Sequence, residues 1–193
     1  SGALDDVADF TSGGIFTEQG LLKPVITAEG MPSIPRETIA DLMAGVARDY
    51  RLWITAPFIS HGRHYVMLGR SPRALGGDHH EFAIAAVMPL SRLTKLIAEP
   101  DTGTNGVVSL MRTDGVAISR APMTPNAPGR SMTGLALFHE IARGSSSGTY
   151  QAVFESDGLR HLASYRVVDG APLVVNVAPS RYAALAPWRR DLA

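Results

Sequence analysis

In the second half of the chain, short apolar runs alternate with Asp-Gly pairs. Asp114-Gly115 separates residues 107–112 from 116–120, Asp157-Gly158 separates 149–155 from 160–168, and Asp169-Gly170 separates that run from 172–178. Asp-Gly between such runs is a strong hairpin signal, because a type I′ turn asks for positive φ at both central residues. A helical stretch at 135–143 lies between the second and third runs. The pattern predicts one antiparallel five-stranded sheet over residues 107–178, crossed by a single helix, in an α+β arrangement.

The first half is less regular. Over residues 1–32, Gly13-Gly14, Gly20, Gly30 and Pro32 interrupt short apolar pieces, which predicts loops with at most one short strand. Ile39, Leu42, Met43 and Val46 then fall at helical spacing behind Ser33 and Pro35, predicting a helix over 36–48. Runs rich in β-branched and aromatic residues at 52–56 and 64–68 flank a turn at Ser60-His61-Gly62-Arg63 and read as a hairpin. After a polar loop at 71–80, residues 82–88 read as a buried strand. Leu90, Leu93, Leu96 and Ile97 continue as a short amphipathic helix that ends before Pro100. Residues 101–106 form a connector, and Tyr182, Leu185 and Trp188-Arg189-Arg190 suggest a final helix leaving the domain.

Composition narrows the functional classes. The chain has 193 residues, room for one large domain or two small ones. Lys plus Arg and Asp plus Glu are 18 each, so no net field draws the chain to nucleic acid. The hydrophobic share of 45% suits a packed core, and no apolar run approaches the ~20 residues that cross a bilayer. Cysteine is absent, which excludes disulfides, thiolate metal sites and a Cys nucleophile. The first six residues lack the basic and apolar regions of a signal peptide.

The order strand-strand-helix-strand-strand-strand is that of a PAS-like domain, and particular residues strengthen the likeness. Leu110-Met111-Arg112-Thr113-Asp114-Gly115, Arg120-Ala121-Pro122, Ser147-Gly148-Thr149-Tyr150, Ala163-Ser164-Tyr165-Arg166 and Pro172-Leu173-Val174-Val175 occur in sequence. Together they resemble the membrane-proximal half of PDC, or double Cache, extracytoplasmic sensors of bacterial histidine kinases and diguanylate cyclases. The segment Trp53-Ile54-Thr55-Ala56-Pro57 and the strand end Leu68-Gly69-Arg70-Ser71 resemble the membrane-distal module. The resemblance implies a PAS-like five-stranded sheet preceded by a second PAS-like module, whole or partial. It divides the chain into a distal module at 1–98 and a proximal module at 99–193 with its exit helix.

Gly144-Ser145-Ser146-Ser147-Gly148 satisfies the G-x-S-x-G template, but a nucleophile elbow needs a strand before the serine and a helix after it, and here the order is reversed. Asp78-His79-His80-Glu81 offers metal-ligand types in a row, yet adjacent residues seldom converge on one ion, so no metal site or cofactor is expected. Within strands, Trp53, Thr55, Tyr65 and Met67 make an aromatic wall with hydroxyls, as a small-molecule pocket or a packed core would. Tyr150, Ala152 and Phe154 share a strand face near Met111, and Arg166 can pair with a ligand carboxylate or simply face water. Because side chains alternate along a strand, Tyr165 and Arg166 face opposite sides.

Ligand-contacting residues are thus expected among Trp53, Thr55, Tyr65, Met67, Arg70, Tyr150, Tyr165 and Arg166, the first set being favoured because the resemblance places binding in the distal module. The expected function is extracytoplasmic sensing of a small molecule, such as a carboxylate or amino acid, and not catalysis. The receptor would be a homodimer in the bacterial inner membrane, anchored through flanking segments outside this chain, with this part in the periplasm. The alternatives are a soluble PAS-like binding or scaffold module and, further off, a serine or metal hydrolase.

Overall fold

The computed structural model describes residues 12–27, 32–48, 52–71, 82–103, 105–153, 158 and 160–179. They divide into two compact units that part between Leu93 and Thr94, with Asp169–Pro172 counted with the first.

In the first unit, strands β1 (Ser12–Thr17), β2 (Gly20–Thr27), β3 (Trp53–Ile54), β4 (Phe58–Ser60), β5 (Arg63–Arg70) and β6 (Ala83–Pro89) form one sheet in the order β2-β1-β6-β5-β3, with β4 also on β5. All pairs are antiparallel. The expectation of loops before residue 32 is corrected here, since β1 and β2 form a full hairpin. Its glycines serve close approach: a Cβ on Gly14 would lie 2.5 Å from the Lys23 carbonyl oxygen. The expected strand at 52–56 shrinks to β3, and β4 is an addition.

Helix α1 (Arg36–Val46) lays Ile39, Leu42, Met43 and Val46 on Phe16, Trp53, Tyr65, Met67 and Val87. The i, i+3, i+4 spacing of the four helical residues makes this stripe. The fit is tight. A Cβ on Gly45 would lie 2.0 Å from the Trp53 ring, and one on Gly69 2.4 Å from Leu42.

In the second unit, β7 (Val107–Arg112), β8 (Ala117–Ala121), β9 (Ser147–Val153), β10 (Arg160–Val167) and β11 (Leu173–Ala178) form an antiparallel sheet in the order β8-β7-β11-β10-β9. Helix α2 (Leu90–Ile97) precedes it, and α3 (Ala136–Ala142) lies between β8 and β9 in the chain. The five-stranded sheet with one crossing helix is as expected. Leu137 and Phe138 of α3 pack on Met111, Tyr165 and Val174. The proposed exit helix at 181–193 lies outside the described residues.

The turns carry a correction. Among described non-glycine residues only His61 has positive φ, 48°, and Gly62 follows at 73°. The two-residue type I′ turn is therefore His61-Gly62, between paired Ser60 and Arg63. At Asp114-Gly115 only the glycine is left-handed, with φ 94°. Gly115 N–H donates to the Arg112 carbonyl at 3.0 Å and Arg112 N–H to the Val116 carbonyl at 2.8 Å, a three-residue loop closed by a left-handed glycine. The Asp114 carboxylate fills the inside of this loop, accepting from Val116 N–H at 3.2 Å and from the guanidinium of buried Arg112 at 3.1 Å.

Candidate functional site: an inner sheet face and its cavity

The register of the second sheet sets one row across all five strands. Gly148 pairs with Tyr165, Tyr165 with Asn176, Asn176 with Ser109, and Ser109 with Arg120. Directly paired residues point to the same side of a sheet, so four polar side chains share the face that α3 covers. The neighbouring positions on that face are Met111, Ala163, Val174 and Ala178, all buried. A row of polar groups inside an apolar face is costly unless they find partners.

Asn176 is 1% exposed, and its Oδ1 accepts a 3.1 Å hydrogen bond from the Tyr150 hydroxyl. Tyr150 stands opposite Ala163 in the β9–β10 register, and this small residue lets the phenol reach across β10 to Asn176 on β11. Burial pushes the Tyr150 hydroxyl up to about 12, against the Asn176 hydrogen bond, which acts the other way. At neutral pH the phenol is therefore a donor, so the Asn176 carbonyl is occupied and its NH2 group remains as a donor. Tyr150 and Tyr165 rings lie 6.3 Å apart at 60°, a tilted aromatic pair. The Tyr165 hydroxyl is buried and has no hydrogen bond among the described residues.

Over one end of this row the chain leaves a cavity of about 370 Å³. Residues 129–132 form its rim by running back along β8: Gly129 N–H donates to the Ala117 carbonyl, Ala117 N–H to the Arg130 carbonyl and Met132 N–H to the Gly115 carbonyl, at 2.8, 2.9 and 2.7 Å. Its apolar wall includes Met111, Met132, Leu135 and Val153, and its polar groups include Ser109, Arg120, Arg130, Thr124 and Asn176. The volume is at the small end of ligand pockets, which run to roughly 300–1,000 Å³. Ser119, also at the wall, shares a 2.7 Å hydrogen bond with Thr94 of α2.

The residues singled out from sequence fall in different surroundings. Trp53, Tyr65 and Met67 lie in the hydrophobic cluster beneath α1, with Phe58 stacked on Tyr65 at 5.8 Å and Arg48 over the Trp53 ring at 5.6 Å. Thr55 is fully buried and accepts from Met67 N–H through Oγ1 at 3.0 Å. Arg70 lies on the other face of β5 from Tyr65 and Met67, and its buried Nε has no hydrogen bond among the described residues. Tyr150 and Tyr165 share the inner face of the second sheet, while Arg166 points to the opposite side and is exposed. Phe154 and the Asp78–Glu81 motif lie outside the described residues. Among the described residues, no cluster of His, Asp and Glu is arranged to hold a metal.

Asn176, Ser109, Arg120 and Arg130 were not singled out. The signal available for Asn176 was an amide at an inward position of the apolar run Leu173–Ala178. For Arg130 there was none, since it sits in an aperiodic segment. The serine loop follows α3 and leads into β9, with Ser145 Oγ donating to the Ser147 carbonyl at 2.9 Å. This is the reverse of a nucleophile elbow.

Residues 91–178 match the family model of dCache_1-like histidine kinase sensor domains. Across 95% of this chain and 76% of the other, the fold superposes with TM-score 0.65 and 24% identity on the extracellular domain of rpHK1S-Z16, named as a histidine kinase. This is a double Cache fold. The ligand-binding domain of the Pseudomonas fluorescens chemoreceptor CtaA, solved with L-isoleucine, matches it with TM-score 0.60 and 14% identity over 97% of this chain and 75% of that one. The Pseudomonas aeruginosa amino acid chemoreceptor PctB, solved with L-Arg, gives TM-score 0.60 and 17% identity over 93% and 75%. No curated protein sequence matches the chain. The Cache resemblance drawn from the sequence is borne out, and with it the PAS-like α+β class. Among the described residues, no helix of this chain is long and apolar enough to cross a membrane.

Proposed function

We propose that this chain is the extracytoplasmic sensing domain of a membrane receptor and that it responds to a small polar metabolite, a carboxylate or an amino acid. The observation that carries the reading is the floor of the second Cache unit: a buried amide, oriented by a half-buried phenol, beside a cavity of about 370 Å³. A merely structural sheet would fill that face with apolar side chains. The family match to histidine kinase sensor domains and the amino-acid complexes of the CtaA and PctB domains support it.

In this reading the receptor is a homodimer anchored by flanking membrane segments, and its output is a histidine kinase or diguanylate cyclase. Tyr150 and Tyr165 serve the site from the sheet floor, while Trp53, Tyr65 and Met67 hold the first unit together. Signalling needs only that the ligand prefer one of two packings. A tenfold preference shifts the balance by about 1.4 kcal/mol.

A thermal-shift panel of amino acids and small carboxylates tests the proposal. A true ligand at 100 times its dissociation constant stabilises the fold by about 2.7 kcal/mol. A panel in which no compound raises the melting temperature would count against sensing.

A further inference from the structure

Asn176 is placed to read the polarity of a bound molecule. It is 1% exposed, yet it stands in the wall of the second unit's cavity. A primary amide has two unlike ends, an oxygen that accepts and an NH2 that donates. Which end a ligand meets depends on what holds the other.

The Tyr150 hydroxyl holds the oxygen, at 3.1 Å. The sheet leaves room for this reach: Tyr150 packs on Val107, Ala163 and Ala178, and both alanines are fully buried. Larger side chains at either alanine would take the space that the phenol needs to get from β9 to β11. Tyr165 pairs with Asn176 in the register, but its hydroxyl lies toward β9, 3.2 Å from where a Cβ on Gly148 would be. Among the described residues, the bond that orients the amide thus comes from Tyr150. Ser109, on the other side of Asn176 in the register, adds a hydroxyl to the cavity wall, and Met111, Met132 and Leu135 add thioether and hydrocarbon.

We propose that Tyr150 is a positioning residue for ligand selection: by holding the Asn176 carbonyl it turns the NH2 to the cavity, and the second unit thereby selects molecules that carry a carbonyl or carboxylate oxygen on a compact apolar body. A molecule that offers only a donor at that point must break the Tyr150 bond to turn the amide, or leave both groups unpaired, and sites built to hydrogen-bond one partner reject analogues that cannot reciprocate. Selection by the amide needs no charge from Arg120 and Arg130, which have interactions of their own within the fold. It rests on the sensing reading above and deepens it.

The test is a heteronuclear NMR titration of the chain with three small aromatic probes: acetophenone, which only accepts, benzoate, which accepts as a carboxylate, and indole, whose N–H only donates. Acetophenone or benzoate is expected to bind saturably and to move the side-chain NH2 signals of Asn176, with indole weaker by about tenfold. In Tyr150→Phe nothing holds the amide, so indole should gain and the preference for acetophenone should fall severalfold toward parity. Asn176→Asp keeps the shape and the partner of Tyr150 but turns an acceptor oxygen to the cavity, and should reverse the preference; it carries the test if the phenylalanine variant does not fold. Ala127→Trp, which fills the cavity from its rim segment, should abolish binding of every probe.

The proposal is overturned if neither acetophenone nor benzoate binds, if indole binds the wild type as tightly as acetophenone, or if the folded variants at Tyr150 and Asn176 change all affinities equally and leave the preference as it was, the mark of a merely structural bond. If a compound of the thermal-shift panel still stabilises the chain, and does so in Ala127→Trp as well, sensing stands and the role of this cavity falls. If nothing in either experiment binds, both fall.

Discussion

Each unit sets a helix against the inner face of an antiparallel sheet, and the two faces are finished differently. In the first, Trp53, Tyr65, Met67 and Phe16 fill the space beneath α1 so fully that Gly45 and Gly69 are needed to let the helix down. In the second, α3 covers only part of the sheet, and the remainder carries Ser109, Arg120 and Asn176 into an open volume. An aromatic wall with a hydroxyl is thus no guide by itself to a binding site. The polar residue in the wall of the first unit is used by the fold, since Thr55 already holds Met67 N–H, whereas Asn176 of the second unit lines a cavity.

The contrast is sharpest under truncation. Trp53→Ala removes the centre of the first core and should cost about 3–5 kcal/mol, read by urea denaturation. An outcome under 1 kcal/mol would mean that the tryptophan covers a space able to collapse or hold a ligand, breaking the distinction. Gly45→Ala comes next. Its new methyl would press on the Trp53 ring, and overpacking of this kind costs about 1–3 kcal/mol even though alanine is the better helix former. Thr55→Val leaves the buried Met67 N–H without its acceptor and should cost about 1–3 kcal/mol, with amide exchange at Met67 rising as the local readout.

In the second unit the expected losses are smaller and the pH dependence is informative. Tyr150→Phe removes the bond to Asn176 and should cost about 1 kcal/mol. The folded hydroxyl sits at about 12, above the value near 10 of an unfolded tyrosine. Its contribution is complete below pH 10 and declines as pH rises through 12, because the folded state holds a proton that the unfolded state has released. Alkaline denaturation of the wild type should therefore be steeper over that interval than that of Tyr150→Phe. Smallest of all, Arg166→Ala on the exposed face should change stability by less than about 0.5 kcal/mol.

Much of the second unit was legible because each reversal carries a glycine and each strand a β-rich run. The chemistry of the turns was less so. Asp-Gly suggested the two-residue type, but Asp114 instead keeps negative φ and spends its carboxylate on Val116 and Arg112, while His61-Gly62, a less favoured pair, makes the type I′ turn. The hairpin of β1 and β2 was hidden by Gly13-Gly14 and Gly20, whose usual meaning is a loop; here small residues admit close strands and the register shifts between Gly13 and Gly14. Of the site, Tyr150 and Tyr165 stood out as aromatics on strands. The row joining Tyr165, Asn176, Ser109 and Arg120 did not, because it depends on pairing among strands distant in sequence, and local periodicity carries no register.

One bond in that row reaches further than its length suggests. Among the described residues β9 borders the sheet and pairs with β10 alone, yet Tyr150 ties it over the top of β10 to the strand beyond. The outermost strand, where solvent would ordinarily enter first, is thereby leashed to the cavity floor. A molecule that settles against Asn176 tightens this leash from the far side, so that slower deuterium uptake over Ser147–Val153 would announce an arrival two strands away.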